Sequence, residues 1–358
     1  MKQKLHYAWI VAGFAMLISG AGSGVFISTL GVFVKPVCDM YGFSRADFPL
    51  YSTIFFITNV IMMPIYGNLF QKFGFRKIST VSSVICSLCL FSYSFCTKLW
   101  MFYAVTLISG LFINGISIMA VGILINKWFV DSKGLASGIA FSGSGIIAAI
   151  LLPVCSRLIE TCGIAFTYRF LAVFEMIITL PVILLILKDD PESAGVSPYR
   201  AAGRVSGKGV SSEKTAATEI HRGFTRWQAL KTPCFWLLFI GIAGIAVCQA
   251  GANSNTVSIL ADIGYSNAFA ASVSSAYMVM LTVFKILMGR VFDRLGSLKG
   301  SMLIGGCCVL FPVTAIFNRI SFVPWIYILF LAIASSGSTV LGNVLTGNYF
   351  GQKDYSKI

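Results

Sequence analysis

Gly67-Asn68-Leu69-Phe70-Gln71-Lys72-Phe73-Gly74 and, 222 residues later, Gly289-Arg290-Val291-Phe292-Asp293-Arg294-Leu295-Gly296 are one motif written twice. Each reads Gly, three residues, Gln or Asp, Lys or Arg, Phe or Leu, then Gly. The first copy continues into Arg76-Lys77 and the second into Lys299. Each copy follows one long apolar block and precedes another. In a chain that crosses a bilayer this pattern has a physical use. The first Gly lets two helices approach closely, the second permits a turn, and the basic residues sit near anionic headgroups. A single copy is explained equally well by a tight basic hairpin. Two copies in register mark an internal repeat of spanning helices.

Outward from these hairpins the whole chain has the same character. Of 358 residues 57% are hydrophobic and only 11% charged, with a mean hydropathy of +0.84. Soluble domains carry roughly a quarter charged residues, so lipid must be the solvent over most of the surface. A spanning helix needs about 20 apolar residues. Backbone groups in lipid must pair internally, and the blocks lack the alternation of strands. The expected fold class is therefore an all-α polytopic membrane protein. Ten spans are predicted: Tyr7–Val34, Phe48–Phe70, Ile78–Cys96, Leu99–Ile125, Leu135–Leu158, Tyr168–Leu187, Pro233–Leu260, Ala270–Val291, Gly300–Phe317 and Phe322–Gly347. The first is too long for a signal peptide and lacks a small-residue cleavage site. A polar Gly/Ser/Lys-rich stretch divides the chain. The expected organisation is a six-helix bundle over residues 1–187, a cytoplasmic linker over 188–232, and an incomplete bundle of four helices over 233–358.

The formal charge of +14 does not require nucleic acid. With the N-terminus inside, the cytoplasmic segments hold 20 Lys/Arg, eight of them between Lys188 and Lys231, and the opposite face holds six: Lys35, Arg45, Lys98, Arg157, Arg169 and Arg319. That asymmetry is the positive-inside pattern. It predicts a multi-pass protein of the cell membrane with a cytoplasmic N-terminus and the lipid bilayer as its main partner. Catalytic constellations are missing from the sequence. The two histidines, His6 and His221, fall in polar segments, and no HExxH, GxSxG or GxxxxGK[ST] occurs. Cys86-Ser87-Leu88-Cys89 has CxxC spacing without a supporting context. No enzyme activity, metal or cofactor is expected, and an internal repeat without a nucleotide site points to gradient-driven transport.

At these residues the chain resembles the major facilitator superfamily, whose loop between helices two and three has the form G-x3-D-R-x-G-R-[RK]. Further segments resemble its monocarboxylate-transporter and oxalate/formate-antiporter branch: Tyr7-Ala8-Trp9, Gly31-Val32-Phe33-Val34-Lys35-Pro36, Tyr41-Gly42-Phe43-Ser44-Arg45-Ala46, and Lys127-Trp128-Phe129 followed by Lys133-Gly134, Ala136, Gly138, Gly143 and Gly145. Tyr349-Phe350-Gly351 is a weaker counterpart in the second half. The resemblance implies a two-bundle fold and secondary active transport of a small mono- or dicarboxylate by alternating access, as antiport or proton symport. Protons or a counter-substrate would be the coupled partner. Two alternatives stay open: a carrier of a sugar, drug or peptide, and a membrane protein that transports nothing. The chain departs from the family at Gln71, where an acid is expected, and at Leu281, where many monocarboxylate transporters place one. The family has twelve helices, so the chain reads as truncated at its C-terminal end.

Lys285 is the fully ionisable residue deepest in the second half. Such a side chain either snorkels to the interface or faces the bundle interior. In the resembled branch the position four before the helix-eight Gly carries a substrate-binding cation, and Gly289 assigns that position to Lys285. Ser23, Ser28 and Thr29 in the first span, with Gln249, Asn253 and Asn255 in the seventh, either line a substrate cavity or bond neighbouring helices. Glu175 is a candidate proton carrier or an interhelical bond. Gly67, Gln71, Gly74, Arg76, Gly289, Asp293, Arg294 and Gly296 form the expected conformational-gating loops.

Overall fold

A computed structural model describes residues 6–44, 47–186, 188–192, 195–200 and 226–350. Its elements are α1 (Tyr7–Ser19), a π-helical stretch Gly20–Ser28, α2 (Leu30–Tyr41), α3 (Leu50–Phe73), α4 (Phe75–Tyr93), α5 (Leu99–Phe112), α6 (Ile118–Trp128), α7 (Lys133–Cys162), α8 (Ile164–Pro181), α9 (Arg226–Leu230), α10 (Pro233–Asp262), α11 (Asn267–Ile316) and α12 (Val323–Phe350). Among the described residues there is no strand, and nine helical stretches are long and apolar enough to cross a membrane. One of these is double. The 50-residue α11 is interrupted at Gly296, whose φ of 80° and ψ of 168° are not helical. Cutting there yields the tenth span, so the chain is the all-α polytopic protein expected, and a multi-pass membrane protein.

The helix ends follow from local chemistry. The turn between α3 and α4 consists of Gly74 alone, at φ 81° and ψ 163°. Gly163, between α7 and α8, has φ 87° and ψ 169°. These angles lie in a region that is essentially glycine-only, and one such residue reverses the chain without a loop. The imidazole of His6 accepts from Ala8 N at 3.2 Å to start α1, and Ser266 accepts from Phe269 N at the start of α11. Both satisfy amides that no helical carbonyl reaches.

The chain divides into two compact units, residues 1–128 with 143–199, and residues 129–142 with 200–356. In the first unit α4 packs on α8 and α3 on α5. The π-helical stretch lies against the break between α5 and α6, where a side chain at Gly22 would strike the carbonyl of Ile116. A buried aromatic group, with Phe33 stacked on Tyr168 at 4.1 Å and Phe48, Tyr93 and Phe102 alongside, fills the end of the unit next to α2. Residues following α8 are fixed to this unit. Asp190 pairs with Lys127 at 2.8 Å, Tyr199 N donates to the Trp128 carbonyl at 2.9 Å, and the Tyr199 ring meets His6 and Trp9. Residues 193–194 and 201–225 of the expected linker, and Gly351 of the Tyr349-Phe350-Gly351 motif, lie outside the described residues. In the second unit α10, α11 and α12 enclose Tyr277, Phe311, Tyr327 and Leu331, with a second cluster around Met288, Phe292, Ile304 and Val340. Along α10, Leu237, Ile240 and Val247 are exposed.

Candidate functional site

Along α11, Lys285, Gly289 and Asp293 stand four residues apart and so share one helix face. That face meets the opening of α7 within the second unit. A Cβ at Gly134 would strike the Gly289 carbonyl, and one at Gly138 would strike the Lys285 carbonyl and lie 3.1 Å from Ile286 Cα. The two helices therefore touch main chain to main chain, as small residues in membrane helices permit. Both oxygens of Asp293 are used at the start of α7: Oδ1 accepts from Gly134 N at 2.9 Å and Oδ2 from Leu135 N at 2.8 Å. A carboxylate on the first amides of a helix stabilises both the unpaired donors and the positive end of the macrodipole.

Two turns before Asp293, Lys285 is buried, 5% exposed, and its ammonium donates to the Phe141 carbonyl at 3.3 Å. Beside it in the same unit, Asn343 of α12 donates to Ser137 of α7, and both side chains are buried. An ammonium in an apolar bundle is costly unless it meets polar or anionic groups. A lysine presents its charge as a point, without the fork of Arg.

The other expected site residues fall into two groups. In the second unit, Gln249 Oε1 accepts from Ser338 at 3.0 Å and joins α10 to α12, while Asn253, one turn on, is exposed. The side chain of Asn255 lies outside the described residues, as does that of Ser28. In the first unit, Thr29 is buried and donates to Val25 of its own helix, and Ser23 accepts from Ile118 N at 3.3 Å, capping α6. Glu175 is fully buried among the hydroxyls of Ser83, Ser87 and Thr179.

The two loops share their backbone. Gly74 and Gly296 agree within a few degrees, Gly67 and Gly289 are buried, and Gln71, Arg76 and Arg294 are exposed. Sequence reading missed what anchors the first loop. Asp189, eight residues beyond the end of α8, accepts from Arg76 N at 2.6 Å, and the Arg76 guanidinium reaches the Leu184 carbonyl. Asp189 thus serves the start of α4 as Asp293 serves the start of α7. No spacing within either helix announces this, because the carboxylate arrives 113 residues along the chain. Among the described residues, no three His, Cys, Asp or Glu side chains converge as metal ligands would.

Comparison with known proteins agrees with this architecture. The oxalate:formate antiporter of Oxalobacter formigenes is 24% identical over 243 residues, covering 63% of this chain and 52% of that protein. The MFS-type transporter hasB of Aspergillus fumigatus is 32% identical over 189 residues, 49% of this chain and 38% of its own. Human monocarboxylate transporter 11 is 25% identical over 201 residues, 55% of this chain and 42% of its own. The chain thus spans about half the length of these relatives, or less. The profile of the Major Facilitator Superfamily matches residues 8–357. The chain belongs to the Major Facilitator Superfamily.

Proposed function

We propose that the protein is a secondary active carrier of a small mono- or dicarboxylate, working by alternating access, with Lys285 as the group that holds the substrate anion. The observation that carries this reading is the burial of a lysine ammonium against the Phe141 carbonyl. Membrane-embedded cations of this kind mark substrate pathways. The names of the antiporter and the monocarboxylate transporter supply the chemical class. The protein carries solute rather than transforming it. In this reading residues 1–187 and 233–358 are the two bundles joined by 188–232, the N-terminus and 188–232 face the cytoplasm of a plasma-membrane protein, and the hairpin residues around Gly74 and Gly296 gate the exchange. Gln249 and Asn253 contribute polar groups to the substrate site in the second unit.

The test is uptake of radiolabelled carboxylates by proteoliposomes containing matched amounts of protein. Removing the ammonium leaves the bound anion unpaired, a cost of several kcal/mol or roughly a hundredfold or more in affinity. Lys285→Gln should therefore nearly abolish uptake, and Lys285→Arg should retain part of it, keeping charge with altered reach. Wild-type carboxylate uptake by Lys285→Gln would remove Lys285 from the anion site, whereas no carboxylate uptake by the unaltered protein would favour a sugar, drug or peptide as cargo.

A further inference from the structure

We infer that Glu175 is the proton-binding site of this carrier, its carboxyl taking up and releasing one proton inside a nest of hydroxyls between α4 and α8; its use in coupling rests on the transport reading above. Glu175 sits midway along α8 and is 0% exposed. Ser83 Oγ lies 3.0 Å and Thr179 Oγ1 2.9 Å from its Oε1, and Ser87 bonds Oε2. Thr179 also lies 2.5 Å from Ser83 and 2.8 Å from the Glu175 carbonyl.

The nest can satisfy the carboxyl in either protonation state. The five contacts, Ser83–Oε1, Thr179–Oε1, Ser87–Oε2, Ser83–Thr179 and Thr179–carbonyl, share hydroxyls and so are partly alternatives. Three hydroxyls supply three, since each carries a single O–H. Protonating the carboxyl adds a fourth donor in place of a buried net charge, and losing that proton returns both oxygens to acceptors for Ser83 and Ser87. The exchange is a bare proton transfer, –COO⁻ plus H⁺ giving –COOH, and involves no redox partner.

Nor does a described cation sit beside the carboxyl to hold it permanently ionised. Arg169, six residues earlier on α8 and so about 9 Å along the axis, bonds Ser94 and packs on Phe91 and Phe95. Arg76 of α4 bonds the Leu184 carbonyl, about 13 Å the other way. The titratable residues of α4 are Arg76 and Lys77 at its start, then Cys86, Cys89 and Tyr93. The π-helical stretch Gly20–Ser28 contributes no titratable group, and α1 contributes Tyr7 at its far end. The titratable residues of α2 are Lys35, Cys38, Asp39 and Tyr41. They follow Phe33, which stacks on Tyr168, seven residues before Glu175.

The test uses the purified, reconstituted protein and two readouts. Infrared difference spectra should show a protonated-carboxyl C=O band that shrinks as pH is raised, disappears in Glu175→Gln and returns, shifted, in Glu175→Asp. A one-unit inward proton gradient supports up to about tenfold accumulation for one proton per carboxylate. The ratio of uptake with and without that gradient should fall to about one in Glu175→Gln. If Glu175 only ties two helices together, Gln keeps the bonds and the ratio stays at its wild-type value, which overturns the proposal. A Glu175 band absent, or unchanged across the whole pH range, also overturns it. A band that titrates in a protein that moves no carboxylate leaves the proton site standing and fells the carboxylate reading instead.

Discussion

Replacing each of three turn glycines by alanine separates backbone strain from the loss of a contact. Gly74, Gly163 and Gly296 share φ between 80° and 87° and ψ between 163° and 169°. An L-residue held in such a region costs on the order of 1–3 kcal/mol, so strain alone predicts about 2 kcal/mol at all three. Their surroundings differ. A Cβ at Gly163 or Gly296 meets nothing within 4 Å, whereas at Gly74 it lies 2.6 Å from Asp189 Oδ2. Alanine there must push the carboxylate aside and break its bond to Arg76 N. Losing such a capping interaction costs about 1 kcal/mol. Gly74→Ala should therefore be about 1 kcal/mol worse than Gly163→Ala, roughly a fivefold shift in the unfolding equilibrium. With Asp189→Ala already in place, that excess should vanish. Reversible unfolding in mixed micelles, followed by tryptophan fluorescence, measures the double-mutant cycle. Additive costs for Gly74→Ala and Asp189→Ala, or equal costs at all three glycines, would refute the reasoning.

The same assay applies to Asp293. Asp293→Ala removes two charge-assisted bonds and should cost about 2–3 kcal/mol, while Asp293→Asn keeps one acceptor and should cost about 1 kcal/mol; identical losses would show that the cap contributes through charge alone. For topology, a cysteine at Ser206 should resist membrane-impermeant maleimide applied outside intact cells and react after permeabilisation. Labelling from outside would reverse the orientation read from the Lys/Arg asymmetry.

What the sequence revealed and what it hid follow the range of each signal. Apolar blocks about a bilayer long read directly as spans, because lipid forbids any backbone other than a self-paired one. The paired hairpins were legible because glycine leaves its mark wherever the backbone must enter a region barred to other residues. Gly163 obeys the same rule but passed unnoticed: it stands in no repeat, and only its angles reveal the role. The π-helical stretch at Gly20–Ser28 and the break at Ile113–Gly115 were hidden too, since hydropathy is blind to how a helix is wound. Within the candidate site, Lys285 stood out because charge in an apolar block is rare. Its partner was beyond reach, because a carbonyl such as that of Phe141 carries no sequence signature. Glu175 was visible, and so in principle was its nest, since Ser83 and Ser87 stand one turn apart, as do Glu175 and Thr179. Which stripe faces which is fixed only by the packing of α4 on α8.

The contact of α7 with α11 also limits how this protein can evolve. At Gly134, Gly138 and Gly289 the atoms that a new side chain would strike include main-chain atoms of the opposing helix. Where two side chains collide, a second mutation can shrink one of them and restore the fit. A carbonyl oxygen cannot be mutated to something smaller. In a saturation library these three positions should therefore read as columns with glycine as the sole survivor, and selections for second-site suppressors should return no compensating change across the contact. The exposed face of α10, at Leu237, Ile240 and Val247, should accept almost any apolar residue. Sequence drift in this chain is thus channelled toward exposed positions such as these, while the seam between α7 and α11 is closed to compensated change.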